Sequence, residues 1–575
     1  MMKMPMRFHC AEFSAILVVV LLLTRTVSQA PAADVIVVAD DGFRDALTPW
    51  VEMRQGEGLT IAFCSPHSDR DAMATVIRGL AKTETRYVML VGDAPSFASQ
   101  DADRDRNGAA GRLVRIPTFY LPSKSTAAHG STPTYPTDLP FGDFDFDGFN
   151  EASVGRLPVV APEQLSGLVT RILAYERSQD FGLWRRRLQL TAGVGGFGAL
   201  VDGAIESVTR TVLTSVLPPD AKPQIAYASP GHAFCPIDEP FGEAVMSRYR
   251  SGARFWVYAG HGSVDRLDFL TRASDDSGSL TPGETSRTSS DGRWRVESLL
   301  HNQNTSLLVA HPARAPIAVL LACYAGAYDA PGDCLSERML LTPGGPIAVI
   351  SASRLTMPYG NARFGLGLLE AAYQPIDHLS SAERLGDAAL AAVRRLQRDH
   401  APVESDTPVS TTQMMVDGLA ALISPAGSDL AQERREHAGL YQLFGDPTLR
   451  LQRPEPLEMT IVDSEDPEPQ DPAKDSTNQP SVCVRVTSPI GGTLIVCVDR
   501  PLGSVNDSSD TATHHSEGDP HRCTIGQVQL PIQIGVDGLA TIPIPPQWSG
   551  AVVVRGFVQG IGGWASGATK TILLP

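Results

Sequence analysis

Cysteine is scarce, with eight in 575 residues, far too few for a scaffold stapled by disulfides. Charge is modest at 19% of residues and unbalanced. The net charge of -16 argues against nucleic acid or an anionic membrane as a partner. Beyond the first thirty residues no apolar run approaches the roughly 20 residues needed to cross a bilayer, so the mature chain is expected to have no membrane span. Two hydrolase signatures are also missing. The lack of a G-x-S-x-G elbow argues against an α/β-hydrolase, and the lack of H-E-x-x-H against a zincin. What the chain does have is 42% hydrophobic residues, ordinary for a folded protein. Its length suggests about three or four domains of roughly 150 residues.

Residues 1–30 have the layout of a signal peptide. Lys3 and Arg7 supply the positive start and Ala15 to Leu23 the apolar centre. Ser28-Gln29-Ala30 and Pro31-Ala32-Ala33 offer small-residue cleavage sites. The expected product is exported, whether secreted, periplasmic or held at the cell surface. The competing reading is an uncleaved N-terminal anchor.

From Val35 onward, short apolar runs alternate with helical patterns. Val35 to Ala39, Leu59 to Cys64 and Arg86 to Val91 read as strands. Asp69 to Ala81 reads as a helix with Ser68 or Asp69 as its N-cap. In a second helix, within Pro158 to Gln179, Leu165, Leu168, Val169, Ile172 and Leu173 keep a 3.6-residue stripe. Such alternation implies βαβ units and a parallel sheet. Residues 34–180 and 181–453 form the two expected α/β subdomains, and residues 274–306 are a polar insertion expected to lie over or beside a cleft. Residues 454–480, rich in Pro, Glu and Asp, read as a linker. Residues 481–575 carry strand patterns with no helix between them, as in an immunoglobulin-like β-sandwich. Cys483, Cys497 and Cys523 lie there, and one pair of them could be bridged.

Two stretches share one design. Phe255-Trp-Val-Tyr-Ala259 is an unbroken apolar strand that stops at Gly260-His261-Gly262, and Pro316 to Ala322 is another that stops at Cys323. Ligands of open α/β sheets sit beyond the carboxyl ends of strands. Neighbouring strands would therefore set an imidazole beside a thiol, the means of nucleophilic catalysis on an amide carbonyl. The developing oxyanion requires N–H donors, and those of Gly262 and Cys323 are the candidates. The bland alternative is a buried thiol and a satisfied core histidine. Cys64 and the His232/Cys235 loop are weaker candidates. Asp143, Asp145 and Asp147 alternate before Gly148, like the opening of a calcium loop. Val154 stands where an EF-hand has its bidentate glutamate, which leaves a structural calcium or a solvated acidic turn.

Tyr-Ala-Gly-His-Gly-Ser (258–263) with Leu-Ala-Cys-Tyr-Ala-Gly (321–326) resembles the gingipain-type cysteine peptidases of the caspase-like clan. Ser153 to Pro158 and Leu443-Phe-Gly-Asp-Pro447 match further segments of that family. The resemblance implies an α/β, caspase/gingipain-like parallel-sheet sandwich in two subdomains, followed by the immunoglobulin-like unit. It implies a cysteine endopeptidase acting on protein or peptide substrates, with no cofactor in catalysis. Cys323 would be the nucleophile and His261 the base, with Gly262 and Cys323 as the oxyanion hole. Asp202, with Glu206, would match the carboxylate that selects Arg or Lys at P1. Two departures stand out. The chain between His261 and Cys323 is lengthened by 274–306, and the family's acid behind the histidine is matched by Val194. The second departure admits a rival, a surface or secretion-associated protein that keeps the fold with weak or no activity. A third possibility is a relative that joins peptides.

Overall fold

The computed structural model describes residues 33–97, 115–193, 216–229, 232, 234–236, 239–272, 287–288, 294–373, 383–398, 411–424, 427–462, 480–501, 524–546 and 548–574. The expected signal peptide, Val194, Asp202 and Glu206 lie outside the described residues, as does most of 274–293.

The first α/β half contains β1 (Val35–Ala39), α1 (Arg44–Gly56), β2 (Ile61–Cys64), α2 (Arg70–Leu80), β3 (Tyr87–Val91), β4 (Ser153–Leu157) and α3 (Pro162–Glu176). Asp69 is the N-cap of α2, accepting from the Ala72 N–H at 2.7 Å, and Met73, Ala74 and Ile77 face inward. In α3 the stripe of Leu165, Leu168, Val169 and Ile172 is buried. The second half contains β5 (Arg187–Ala192), β6 (Lys222–Tyr227), α4 (Phe241–Ser251) and β7 (Phe255–Ala259). A hairpin follows, β8 (His261–Ser263) and β9 (Arg266–Arg272), then β10 (Trp294–His301). The chain continues with β11 (Ile317–Leu321), α5 (Leu335–Leu341), β12 (Ala348–Ala352), α6 (Pro358–Tyr373), α7 (Leu385–Gln397), α8 (Thr411–Ile423), α9 (Leu430–Leu440) and β13 (Tyr441–Phe444).

One ten-stranded sheet runs through both halves in the order β2-β1-β3-β4-β13-β12-β11-β7-β5-β6. Every junction is parallel except β12–β13, where the strands are antiparallel. The sheet is thus two parallel halves of opposite sense, joined edge to edge. The apolar runs are buried as a two-sided parallel sheet requires: β1 and β3 are fully enclosed, and β7 is buried through Tyr258.

Asp446 links the distant ends of this unit. It accepts from Trp50 Nε1 at 2.6 Å, Arg54 at 2.7 Å and the Thr448 N–H at 2.7 Å. Arg54 also pairs with Glu176 at 2.7 Å. Burial pushes the Asp446 carboxyl up, but Arg54 outweighs it and holds the carboxyl below the usual range. Gly445, before it, has φ 146 and would drive a Cβ to within 2.8 Å of Ala348. That explains the Gly-Asp-Pro sequence in physical terms.

Two parts differ from the sequence reading. Within the insertion, Trp294–His301 is a strand, paired along β9 in a separate four-stranded sheet. Within the expected linker, Glu455–Pro456 and Glu458–Val462 pair into the C-terminal sheets. Leu457 is buried, and Met459 and Ile461 lean on the same core. Their period-2 alternation is masked by the flanking Pro and Glu. The C-terminal unit is a β-sandwich whose two sheets enclose Val484, Val486, Leu494, Val496, Val554 and Val558. Cys483 and Cys497 are free thiols, so they are not bridged to each other, and Cys523 lies outside the described residues.

Candidate active site

β7 and β11 are adjacent parallel strands, with Ala259 opposite Leu321. His261 and Cys323 each lie two residues beyond that pair, at the same sheet edge. The Gly260 N–H reaches across to the Leu321 carbonyl at 3.3 Å. Gly262 is pressed against the cysteine backbone: a Cβ there would stand 2.7 Å from the Cys323 oxygen and 2.9 Å from Ala322 Cβ. Only glycine permits this approach. His261 is exposed and Cys323 half-buried.

The hairpin sets the direction of the Gly262 N–H. Its pairs are Ser263 with Arg266, Gly262 with Leu267 and His261 with Asp268. Across a two-residue turn the closing pair exchanges both hydrogen bonds. Alternation then makes Gly262–Leu267 a non-hydrogen-bonded pair. The Gly262 N–H therefore points away from β9 and makes no bond within the hairpin.

Residues unnoticed in the sequence hold the sulfur. The Thr356 N–H donates to Cys323 Sγ at 3.3 Å, and Thr356 Oγ1 lies 3.6 Å from it. Asn361 Nδ2 donates to that hydroxyl at 3.0 Å, and the Tyr441 hydroxyl donates to Asn361 Oδ1 at 2.7 Å. Tyr441 stacks on Phe364 with centroids 3.8 Å apart, and its phenol is raised well above the usual range, by burial first and then by the charge of Cys323. Tyr324 follows the cysteine at φ 58, in the left-handed region. Such strain in a non-glycine residue costs about 1–3 kcal/mol and gathers at functional sites.

His437 supports this segment from behind. Its Nε2 accepts from the Met357 N–H at 2.9 Å, and its Nδ1 lies 2.8 Å from the Glu433 carbonyl. Burial lowers the imidazole to about 4 and raises the Glu433 carboxyl to about 7. The two groups oppose each other. His437 binds its proton more weakly folded than unfolded, so its share of stability is lost as pH falls from about 6.5 to about 4. Glu433 binds its proton more tightly folded, so its share is lost as pH rises from about 4.5 to about 7. Glu433→Gln removes only the second effect. Urea titrations from pH 4 to 7 should find the variant gaining about 3 kcal/mol on wild type as pH rises. A difference independent of pH would refute the assignment.

The acidic loop differs from its reading. Asp143 and Asp145 are joined by Glu151, with ligand oxygens within 4.8 Å of one another. Asp147 is not in that group; its Oδ1 turns back to accept from the Phe149 N–H at 2.7 Å. Alternation along the sequence does not survive the turn at Phe146, whose φ is 67. Burial raises the Glu151 carboxyl, and Asp145 and Asp143 raise it further. An all-oxygen set of this kind suits a hard cation.

The sequence profile of peptidase family C25 matches residues 28–452. The chain belongs to that family of cysteine-type peptidases, whose substrates are proteins or peptides. No curated protein sequence matches it. Among solved structures it is similar to the Arg-specific cysteine proteinase gingipain R, at 14% identity and TM-score 0.47, over 94% of this chain and 98% of that one. A complex of Porphyromonas gingivalis RgpB pro- and mature domains gives 14% identity and TM-score 0.47, over 93% and 99%. Dimeric latent PorU from Porphyromonas gingivalis gives 12% and 0.33, over 94% and 42%. No helix among the described residues is long and apolar enough to cross a membrane.

Proposed function

We propose that the chain is an exported cysteine endopeptidase that works through Cys323 and His261. The Cys323 sulfur attacks the scissile carbonyl carbon, its proton passes to His261, and the carbonyl oxygen becomes an oxyanion facing the Gly262 and Cys323 N–H groups. The C–N bond breaks as His261 gives the proton to the leaving amine, and a thioester remains. Water then attacks, His261 takes its proton, and the thiol leaves as the acid is released. The observation that carries this reading is the Ala259–Leu321 pairing, from which imidazole and thiol emerge at the same distance along adjacent strands. Asp202 is the proposed selector of Arg or Lys at P1, and Asp143, Asp145 and Glu151 would hold a structural calcium. Export rests on the N-terminal segment with Lys3, Arg7 and Ala15 to Leu23.

An active-site-directed thiol probe tests the core of this. Labelling of the wild type that disappears in Cys323→Ala is expected, and equal labelling of both would overturn it. Cleavage of a peptide library tests the selector. Asp202→Ala should erase a preference for basic P1 residues, and a preference left intact would remove Asp202 from the role.

A further inference from the structure

Building on the proposed dyad, we infer that Asp268 is the positioning carboxylate for His261, the part left open by Val194. Asp268 lies directly opposite His261 in the hairpin. By the alternation above, theirs is a hydrogen-bonded pair. The side chains of such a pair leave the sheet on the same face, with Cβ atoms about 5.5 Å apart. That separation lets a carboxylate reach an imidazole.

The pair is clamped from beneath. The hydroxyl of buried Tyr258 donates to the His261 carbonyl at 3.0 Å and to the Asp268 carbonyl at 2.5 Å. On its other side Asp268 is opposite Ser298. Imidazole, carboxylate and hydroxyl thus form one row across three strands. Ser298 Oγ is buried beside the Asp268 carboxylate and favours its ionised form.

The charged groups acting on Asp268 are few. Arg266 Nε is 3.9 Å away and is shared with Asp265 at 3.3 Å, too far from Asp268 for a direct hydrogen bond. Asp265 itself is 53% exposed, against 20% for the Asp268 side chain. Solvent therefore screens Asp265 more. Burial pushes the Asp268 carboxyl up, Arg266 and Ser298 pull it down, Asp265 pushes it up, and His261 favours the ionised form. From its place across the hairpin the carboxylate fixes the ring for proton exchange with Cys323.

The test uses the full chain with Asp268→Asn, Asp268→Glu, Cys323→Ala and His261→Ala. Casein-derived peptides serve as substrate, and iodoacetamide alkylation of Cys323 provides a readout independent of turnover. In Asp268→Asn, kcat should fall roughly 10- to 100-fold with KM within about twofold. Alkylation should slow, the unfolding midpoint should hold, and Asp268→Glu should recover most of the loss. Wild-type kcat and alkylation in Asp268→Asn, while Cys323→Ala is dead, overturn the role of Asp268 alone. A loss that Glu does not recover, together with a lowered midpoint, makes Asp268 merely structural and overturns it too. Full hydrolysis by Cys323→Ala overturns the dyad, and this inference with it.

Discussion

Cys323→Ala should leave no measurable peptide hydrolysis, and His261→Ala should lower kcat/KM by about four orders of magnitude or more. Nucleophile and base act as one unit, so losing either costs nearly as much as losing both. The double variant should therefore be no worse than either single one. KM should barely move, because both residues act on the reacting bond rather than on the rest of the substrate. The expectation rests on the sheet edge: Cys323 is held by the Thr356 N–H, and Gly262 brings the histidine turn against the cysteine backbone. Assay of purified full-length protein against a quenched peptide checks it. Residual activity near a tenth of wild type in Cys323→Ala would refute the thioester route.

The second large effect concerns stability. Arg54→Met should cost about 3–5 kcal/mol, because it strands Asp446 and Glu176 as buried, unpaired carboxylates. Arg54 is fully enclosed and contacts both. Arg450→Ala is the control. Its guanidinium is 57% exposed and 3.6 Å from Glu57, so its loss should cost less than about 1 kcal/mol. Urea unfolding followed by tryptophan fluorescence separates the two. Equal midpoints would mean that Asp446 is not the joint between the two halves.

The strands carrying His261 and Cys323 are legible in the chain because both faces of a parallel strand are covered, which leaves an unbroken apolar run. The α3 stripe is legible because its one buried face repeats every 3.6 residues. Thr356, Asn361 and Tyr441 are not, because polar side chains on a strand end and a helix start carry no periodic signal. Asp268 is hidden by register: its place opposite His261 depends on where the turn falls at Val264-Asp265. The approach of Glu151 to Asp143 and Asp145 is hidden because carboxylates that alternate in sequence diverge once Phe146 enters the left-handed region. Leu457, Met459 and Ile461 are lost among prolines and glutamates, where composition outweighs alternation.

The excursion between the histidine and the cysteine leaves the ten-stranded sheet after Ala259 and re-enters it at Ile317, on the very next strand. Both of its ends are thus anchored to one ladder, and its own small sheet sits outside. Doubling such a detour costs only about 0.6 kcal/mol in closure entropy. The segment can therefore be enlarged or trimmed at little cost to the ladder that anchors it. The spacing of imidazole and thiol meanwhile stays tied to a single inter-strand step.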